Sequence, residues 1–138
     1  MQKIETQRIL RVIDANFNRA KEGLRVCEDI CRFFLNKKKM TQEYKTLRHE
    51  LTAVVARLRM DEVINARDIQ KDVGKKTIAP ELKREKCSDI FYANSQRAKE
   101  SIRVLEEFAK LLNVRLAQGL KKIRYKVYAL EQKIVKGF

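Results

Sequence analysis

The sequence contains a single histidine, His49, and no tryptophan among its 138 residues. A mechanism that needs two histidines, or a histidine-rich metal site, is therefore excluded. The three cysteines are an odd number. Cys27 and Cys31 lie four residues apart on an apolar helix face, with no second pair of Cys or His nearby to complete a zinc tetrahedron. We predict that both are reduced residues of the core.

Glycine and proline are also scarce, with four and one residues respectively. Since β-branched residues rarely alternate with polar ones, strands are not expected, and the sequence predicts an all-α fold. No apolar run of about 18 residues could cross a bilayer, and the N-terminus lacks the features of a secretory signal. We expect a cytoplasmic protein with no membrane partner, folded as one domain over residues 1–138.

Acidic residues are outnumbered by basic ones: the sequence has 32 Lys and Arg but only 18 Asp and Glu, which gives a formal net charge of +14. The natural partners of such a chain are anions, namely phosphorylated metabolites, nucleotides, nucleic acid or an acidic membrane surface. Net charge alone does not choose among these partners.

The chain contains an internal repeat. The segment ANFNRAKEGLRVCE at 15–28 returns as ANSQRAKESIRVLE at 93–106, with nine of fourteen positions identical. A weaker match follows, in which Leu47-Arg48 corresponds to Ile123-Arg124 after a two-residue deletion. We predict two αα-hairpins, at about 5–66 and about 87–137, joined by one long loop at 67–86. Together they would form an antiparallel four-helix bundle.

The apolar periodicity predicts where the helices begin and end. The first should run from about Glu5 to Asn36, with Phe34 in its apolar stripe and Lys37 to Lys39 at its C-terminal end. The second should be capped by Thr41 and persist to about residue 66, and the third should be capped by Ser88 and end near residue 112. A fourth follows, with apolar residues at 116, 120, 123, 127, 130 and 134.

Two pairs of repeated polar residues fall inside the apolar stripes at 100° per residue. Asn16 and Arg19 belong to the first repeat, and Asn94 and Arg97 to the second. A buried guanidinium needs compensation, so each Arg should meet a carboxylate, a set of carbonyl oxygens or a ligand anion. The acids available as that carboxylate are Glu22 and Glu100, and the small residues expected to leave room for a ligand are Gly23 and Ser101.

The remaining repeated residues fall on the opposite sides of their helices. They are Lys21, Arg25 and Glu28 in the first repeat and Lys99, Arg103 and Glu106 in the second. A solvated face with ion pairs three or four residues apart is the plainest interpretation. A dimer interface and a second ligand-binding lobe are the alternatives.

The loop holds a second group of candidate residues. Arg67 and Asp68 are followed by Asp72, and then by a short run of one glycine and two lysines, Gly74, Lys75 and Lys76. Two aspartates can hold Mg²⁺ partly through water, and a glycine followed by lysines could bind a phosphate chain. The spacing does not fit a P-loop, and a charged linker is the alternative.

Three motifs in order, RVIDANFNRAKEGLRVCED from residue 11, RDIQKDVG from residue 67 and ANSQRAKESIRVLEE from residue 93, carry a family resemblance. The chain resembles the small helical hydroxymethylpyrimidine phosphate kinases of thiamine biosynthesis, a domain found alone or fused ahead of thiamine-phosphate synthase. The resemblance implies phosphoryl transfer from MgATP to hydroxymethylpyrimidine phosphate. Because no βα-barrel follows residue 138, we expect the kinase step without the synthase step.

Residues and resemblance together suggest specific roles. Arg19, Arg97 and Arg67 are the predicted catalytic residues, and Asp68 and Asp72 the predicted Mg²⁺ ligands. The predicted substrate-binding residues are Asn16, Asn94, Glu22, Glu100, Arg25 and Arg103, and the predicted nucleotide contacts are Gly74, Lys75 and Lys76. Thiamine-phosphate synthase and a second copy of the chain are candidate partners. The rival hypotheses are a chorismate-mutase-like enzyme acting on a small dianion and a basic helical nucleic-acid-binding module.

Overall fold

Helices account for the regular structure of this chain. The computed structural model describes residues 2–138, except for the side chains of residues 80 and 81. The helices are α1 (Lys3–Asp29), which continues into a π-helical turn (Ile30–Phe34), α2 (Lys38–Val55), α3 (Met60–Asn65), α4 (Cys87–Ala109) and α5 (Val114–Val135), with a 3₁₀ turn at Ala79–Leu82. No strand occurs in the described part of the chain, and the all-α prediction is confirmed.

The four long helices pack in a closed ring, in the order α1, α4, α5, α2 and back to α1. Neighbouring helices run antiparallel. The Cys27 thiol, near the end of α1, lies 3.9 Å from the carbonyl oxygen of Phe91, near the start of α4. On α2 and α5, Lys126 pairs with Glu50 at 3.0 Å and Lys133 with Glu43, seven residues earlier, at 3.6 Å. This arrangement is an antiparallel four-helix bundle, with a core of aliphatic side chains from all four helices.

The core also holds two of the cysteines. Cys27 and Cys31 are fully buried and make no disulfide, as predicted. Burial raises the pKa of the Cys31 thiol to about 11, so the thiolate that would react or bind a metal is disfavoured. These cysteines are small apolar residues of the bundle interior.

Gly23 lets α1 and α4 approach closely. A Cβ atom at this position would lie 2.7 Å from the backbone oxygen of Asn94 and 3.3 Å from the backbone nitrogen of Ala98. The expectation that Gly23 leaves room for a ligand is therefore wrong, because the backbone of the neighbouring helix already occupies that room.

The helix boundaries differ from the prediction at two junctions. In the π-helical turn the Leu35 amide bonds to the Ile30 carbonyl at 3.1 Å, which rotates the chain and leaves Phe34 exposed instead of in the apolar stripe. The lysines expected to end the first helix instead begin α2. The second predicted helix ends at Val55, not at residue 66, because the chain turns back and α3 packs Val63 against α1.

Both predicted caps are also wrong. The Thr41 hydroxyl donates to the Lys37 carbonyl at 2.8 Å, one turn earlier within α2. Ser88 lies inside the first turn of α4, where the carboxylate of Asp89 accepts from the Lys86 amide at 2.9 Å. An acid three residues inside the helix start thus performs the capping.

Candidate functional site

A cleft of about 600 Å³ lies between the first half of α1 and the start of the long loop; we call it the α1–loop cleft. Ten of its thirteen lining residues are polar or charged. The lining residues are Arg8, Arg11, Val12, Asp14, Ala15, Asn16, Asn18, Arg19, Glu22, Arg67, Asp68, Ile69 and Asp72. Six of the predicted site residues are therefore brought together here: Asn16, Arg19, Glu22, Arg67, Asp68 and Asp72.

Arg67 is held at this cleft by Asp14. Its Nε donates to Asp14 Oδ2 at 2.6 Å and its Nη2 to Oδ1 at 2.7 Å, a two-pronged guanidinium–carboxylate contact. The hydrogen bond to Asp14 raises the pKa of Arg67 further above its usual value. Asn18 Nδ2 donates to the same carboxylate at 3.2 Å. The Asp14 side chain is only 6% exposed, whereas the Arg67 side chain is 43% exposed. The buried carboxylate therefore fixes one edge of the guanidinium, and the rest of the group stays accessible to solvent.

Asp68 and Asp72 shape the loop with one carboxylate oxygen each. Asp68 Oδ1 accepts from the Lys71 amide at 3.1 Å, and Asp72 Oδ1 accepts from the Gly74 amide at 3.0 Å. Within the described residues, their second oxygens make no protein hydrogen bond. No group of three or more Asp, Glu, His or Cys side chains in this part of the chain could hold a metal ion by itself. Two carboxylates do suit Mg²⁺, which takes its other ligands from water and substrate phosphates.

A second cleft of about 430 Å³ runs between α1 and α4; we call it the α1–α4 cleft. Its lining residues are Asn16, Arg19, Ala93, Gln96, Arg97, Glu100, Ser101 and Val104. Asn16 and Arg19 line both clefts, so the two are neighbours along one face of α1. Arg19 and Arg97, which occupy equivalent positions of the repeat, both line this cleft.

Arg19 and Arg97 are exposed, and the expectation that they point into the core is wrong. Both lie at the edge of the apolar stripe, where a long arginine stem can pack while its guanidinium reaches water. Neither makes an ion pair with an acid in the described part of the chain, so Glu22 and Glu100 do not neutralise them. Both guanidinium groups are therefore available to an anionic ligand.

The repeated asparagines have a local role in common. Asn16 Nδ2 donates to the Val12 carbonyl at 2.9 Å, and Asn94 Nδ2 donates to the Ile90 carbonyl at 2.8 Å, one turn earlier in each helix. Asn16 is buried and lines both clefts, whereas Asn94 lines neither. The hydrogen bond to the preceding turn thus explains why both copies contain this asparagine. Of the two, only Asn16 is placed to contact a ligand in these clefts.

The repeated glutamates link helices. Glu28 accepts from Arg48 of α2 at 3.2 Å, and Glu106 accepts from Arg124 of α5 at 2.6 Å. Both carboxylates are almost fully buried, so the prediction that they belong to a solvated face is wrong. Helical angles place them about 120° away from Asn16 and Asn94, outside the main apolar stripe, but that side of α1 or α4 is covered by the second helix of the hairpin.

Arg25 and Arg103 fit the solvated-face interpretation. Arg25 pairs with Glu28 at 3.4 Å and with Asp29 at 3.7 Å, and Arg103 makes the equivalent contacts with Glu106 and Glu107. The lysines differ between the copies: Lys21 lies over the Phe17 ring, whereas Lys99 pairs with Glu131 at 2.9 Å. The structure brings neither Arg25 nor Arg103 to the two clefts described above.

The remaining loop candidates lie apart from the clefts. Gly74, Lys75 and Lys76 are exposed and line neither of them, and Gly74 does not use a positive φ. Glu22 lines the α1–loop cleft, and Glu100 lines the α1–α4 cleft, where it accepts from Gln96 at 2.8 Å.

Sequence reasoning missed four polar residues of the α1–loop cleft, namely Arg8, Arg11, Asp14 and Asn18. Asp14 was the most informative omission. It stands one residue before the repeat, where the second copy has Tyr92, and next to the buried Ile13. An acid on an apolar stripe, present in one copy alone, was the signal that could have identified it.

The fold and these clefts define a strongly basic, all-helical protein whose polar clefts suit a small anionic ligand. Within residues 2–138, no helix combines the length and the apolarity that a membrane span requires. The profile of the ThiD2 family matches residues 11–133. This match covers most of the chain, which therefore belongs to the ThiD2 family, and the resemblance seen in the three motifs is confirmed.

Named relatives agree with this assignment. The thiamine-phosphate synthase of Nostoc punctiforme is 40% identical over 136 residues, which cover 97% of this chain and 38% of that protein. The thiamine-phosphate synthase of a Synechocystis species is 42% identical over 132 residues, covering 95% and 37%. That of Rhodopirellula baltica is 38% identical over 130 residues, covering 94% and 35%. The chain thus spans little more than a third of these relatives, and no solved structure matches it significantly.

Proposed function

We propose that this protein is an enzyme of thiamine biosynthesis that transfers the γ-phosphoryl group of ATP to hydroxymethylpyrimidine phosphate and forms the diphosphate. The family assignment and the relatives named thiamine-phosphate synthase support the pathway. The α1–loop cleft supports the reaction, because it combines accessible guanidinium groups with carboxylates.

The observation that carries the proposal is the placement of Arg67. Asp14 fixes this side chain in the cleft that Arg19, Asp68 and Asp72 also line. Phosphoryl transfer depends on holding the reacting groups in line and on stabilising charge on the transferred group. A preoriented guanidinium next to a pair of carboxylates meets both needs.

The chemistry requires no histidine. A phosphate monoester has a second pKa near 6, so at neutral pH its oxygen is already an anionic nucleophile. That oxygen forms the new bond to the γ-phosphorus, the bond from this phosphorus to the bridging oxygen breaks, and ADP leaves. Arg67 and Arg19 would bind the non-bridging oxygens as charge moves towards the leaving group.

Mg²⁺ would be held by Asp68 and Asp72 and would neutralise the phosphate chain when bound. The protein's own contribution is to place these two aspartates on a loop that Arg67 anchors to α1. The carboxylate oxygens not used in the loop turns are the available ligands.

The two clefts suit two substrates. We assign the phosphate chain of ATP to the α1–loop cleft and the aminopyrimidine to the α1–α4 cleft. In the latter, Gln96, Glu100 and Ser101 offer hydrogen-bond donors and acceptors for a ring with an amino group. Arg19 lies where the clefts adjoin, so it can contact the phosphates of both substrates.

Some predicted contacts would need a moving loop. Lys75 and Lys76 can reach a nucleotide only if the exposed loop folds over the α1–loop cleft. Loops of this kind commonly close on phosphate substrates. Roles for Asn94, Arg25 and Arg103 in substrate binding stay predictions that the geometry of the two clefts does not support.

We also infer that the bundle arose by duplication of an αα-hairpin. The support is the repetition of contacts: Glu28 with Arg48 and Glu106 with Arg124 join the two helices of each half. Since only the first copy has an acid at the position of Asp14, the first half would carry the chemistry.

The rival hypotheses find less support. Rearrangement of a small dianion gains nothing from Asp68, Asp72 and Glu22 in the cleft, since these acids would repel it. A nucleic-acid-binding module needs cations along an exterior stripe, whereas Arg19, Arg67 and Arg97 line concave clefts.

The direct test is to incubate the purified chain with MgATP and hydroxymethylpyrimidine phosphate and to follow the products by ³¹P NMR. Diphosphate and ADP should appear in equal amounts, and a chelator should stop turnover. The unphosphorylated alcohol should react poorly, because its hydroxyl would need a general base. Folded protein that yields no diphosphate would contradict the proposal.

A further inference from the structure

A third cleft lies further along the bundle, between the end of α1 with its π-helical turn and the start of α2. We call it the α1–α2 cleft; its volume is about 550 Å³. Its lining residues are Arg25, Glu28, Arg32, Asn36, Lys37, Lys38, Thr41, Gln42 and Lys45. Nothing in the proposed kinase chemistry uses this cleft.

Positive charge dominates the lining. Five of its nine residues are cationic, and the single acid, Glu28, is already bound by Arg48 at 3.2 Å and by Arg25 at 3.4 Å. The other four cations, Arg32, Lys37, Lys38 and Lys45, form no ion pair with an acid of the described chain. Unpaired like charges around one concavity repel each other, and a bound polyanion would relieve that repulsion.

The cleft is separate from the proposed active site. The two clefts share no lining residue; Glu22 and Arg25 at their facing edges are three residues apart on α1, whereas Asn16 and Glu28 are twelve residues apart on the same helix. At a rise of 1.5 Å per residue this separation is about 18 Å. One phosphate group cannot contact both places.

We propose that the α1–α2 cleft is a second anion site, which binds the phosphate chain of a small di- or triphosphorylated molecule. Four unpaired cations match the three to four negative charges of such a chain, as charge-assisted hydrogen bonds to phosphate oxygens require. The concave lining suits a compact ligand better than an extended strand of nucleic acid, which needs a continuous exterior stripe.

The second repeat lacks the same arrangement. Lys110, which corresponds to Arg32 in the repeat alignment, pairs with Glu107 at 2.9 Å. Lys121, which corresponds to Lys45 after the two-residue deletion, lies over the Tyr125 ring and, like Lys45, makes no ion pair in the described part of the chain. Arg32 is therefore unpaired where its counterpart Lys110 is neutralised, and α5 provides lysines for a matched control.

The test uses the full chain and titrates it calorimetrically with inorganic triphosphate, with ATP and with a short single-stranded RNA. An Arg19→Gln, Arg67→Gln background removes binding at the proposed active site, so the remaining binding reports on the α1–α2 cleft. Lys38→Gln with Lys45→Gln should then weaken triphosphate binding about 25-fold, if each lost contact is worth about five-fold.

The control is Lys121→Gln with Lys122→Gln, which changes the net charge equally on exposed positions of α5. It should leave triphosphate binding within about three-fold. ATP binding that matches triphosphate would assign recognition to the phosphate chain alone, and stronger ATP binding would add a nucleoside to the ligand.

Equal losses in the two double variants would show diffuse charge and overturn the proposal, as would absence of triphosphate binding. RNA that binds more tightly than triphosphate, and loses its binding in the Lys38, Lys45 variant, would also overturn it in favour of nucleic acid. Because binding is measured without turnover, failure here leaves the kinase proposal standing, and failure of the kinase assay leaves this one standing.

Discussion

The pair formed by Asp14 and Arg67 allows the sharpest test of the proposed site. Asp14→Asn keeps the shape of the side chain but replaces one acceptor oxygen by a donor that faces the guanidinium. The two hydrogen bonds of 2.6 and 2.7 Å are then reduced to one at most. Arg67 should leave its fixed position, and the loop carrying Asp68 and Asp72 should lose its attachment to α1.

The expected cost in stability follows from the exposure of the two partners. Breaking a buried ion pair costs about 3–5 kcal/mol because the remaining charge stays desolvated. Here the Arg67 side chain is 43% exposed and can turn to water, so we expect a loss of about 1–2 kcal/mol. Turnover should fall more steeply, on the order of 10²-fold, because the phosphate-binding guanidinium is no longer held in place.

The assay combines urea unfolding with kcat for diphosphate formation. Glu106→Gln is the matched control, since Glu106 is an equally buried carboxylate that accepts from Arg124 Nε at 2.6 Å. Arg124 is far less exposed than Arg67, so this control should lose more stability, about 3 kcal/mol. The kcat of the Glu106→Gln variant should stay unchanged under conditions where the variant is folded, because Glu106 and Arg124 lie outside the two clefts of the proposed active site.

The reasoning would be refuted if Asp14→Asn lowered stability but left kcat within about three-fold of the parent protein. The pair would then be a loop anchor alone. A double-mutant cycle with Arg67→Gln adds a second criterion: the two changes should show strong coupling in kcat, and additive effects there would mean that Asp14 does not act through Arg67.

Three further predictions concern other parts of the chain. Arg19→Lys should lower turnover by on the order of 10³-fold and Arg97→Lys by less, because of the two arginines only Arg19 lines both clefts. Melting temperatures should stay unchanged, and equal small effects on turnover would remove both arginines from the mechanism. Gly23→Ala should destabilise the bundle by about 1–3 kcal/mol in urea unfolding. At Gly119 an added Cβ would lie 3.5 Å from its nearest neighbours, so Gly119→Ala should stabilise the bundle by up to about 1 kcal/mol. The opposite order would contradict the close packing of α1 and α4. Because burial raises the pKa of Cys31 to about 11, iodoacetamide at pH 8 should alkylate it only after unfolding, and rapid modification of the native protein, seen by mass spectrometry, would disprove this.

Periodicity and the repeat predicted the helical class and the position of the long loop. They did so because a helix whose apolar residues recur every three to four positions must bury that face, and two similar faces bury each other. The same reasoning failed at the helix ends. A π-helical turn and an acid cap at Asp89 depend on individual hydrogen bonds, which leave little trace in the apolar pattern.

The orientation of polar side chains was predicted less well. Helical angles placed Glu28 and Glu106 on a solvated face and Arg19 in the core, and the structure reverses both. An angle gives the direction of a Cα–Cβ bond relative to one stripe, but it does not say where a third helix lies or how far a long stem reaches.

The sequence by itself thus determined the all-helical fold, the internal repeat and the family, since these depend on local preferences and on patterns that recur along the chain. Only the tertiary structure decided that Asp14 and Arg67, 53 residues apart, form one contact, and that unpaired cations line the α1–α2 cleft. Such features arise from the packing angles of helices distant in sequence. A small rotation of one helix would change them without altering the periodicity of any segment.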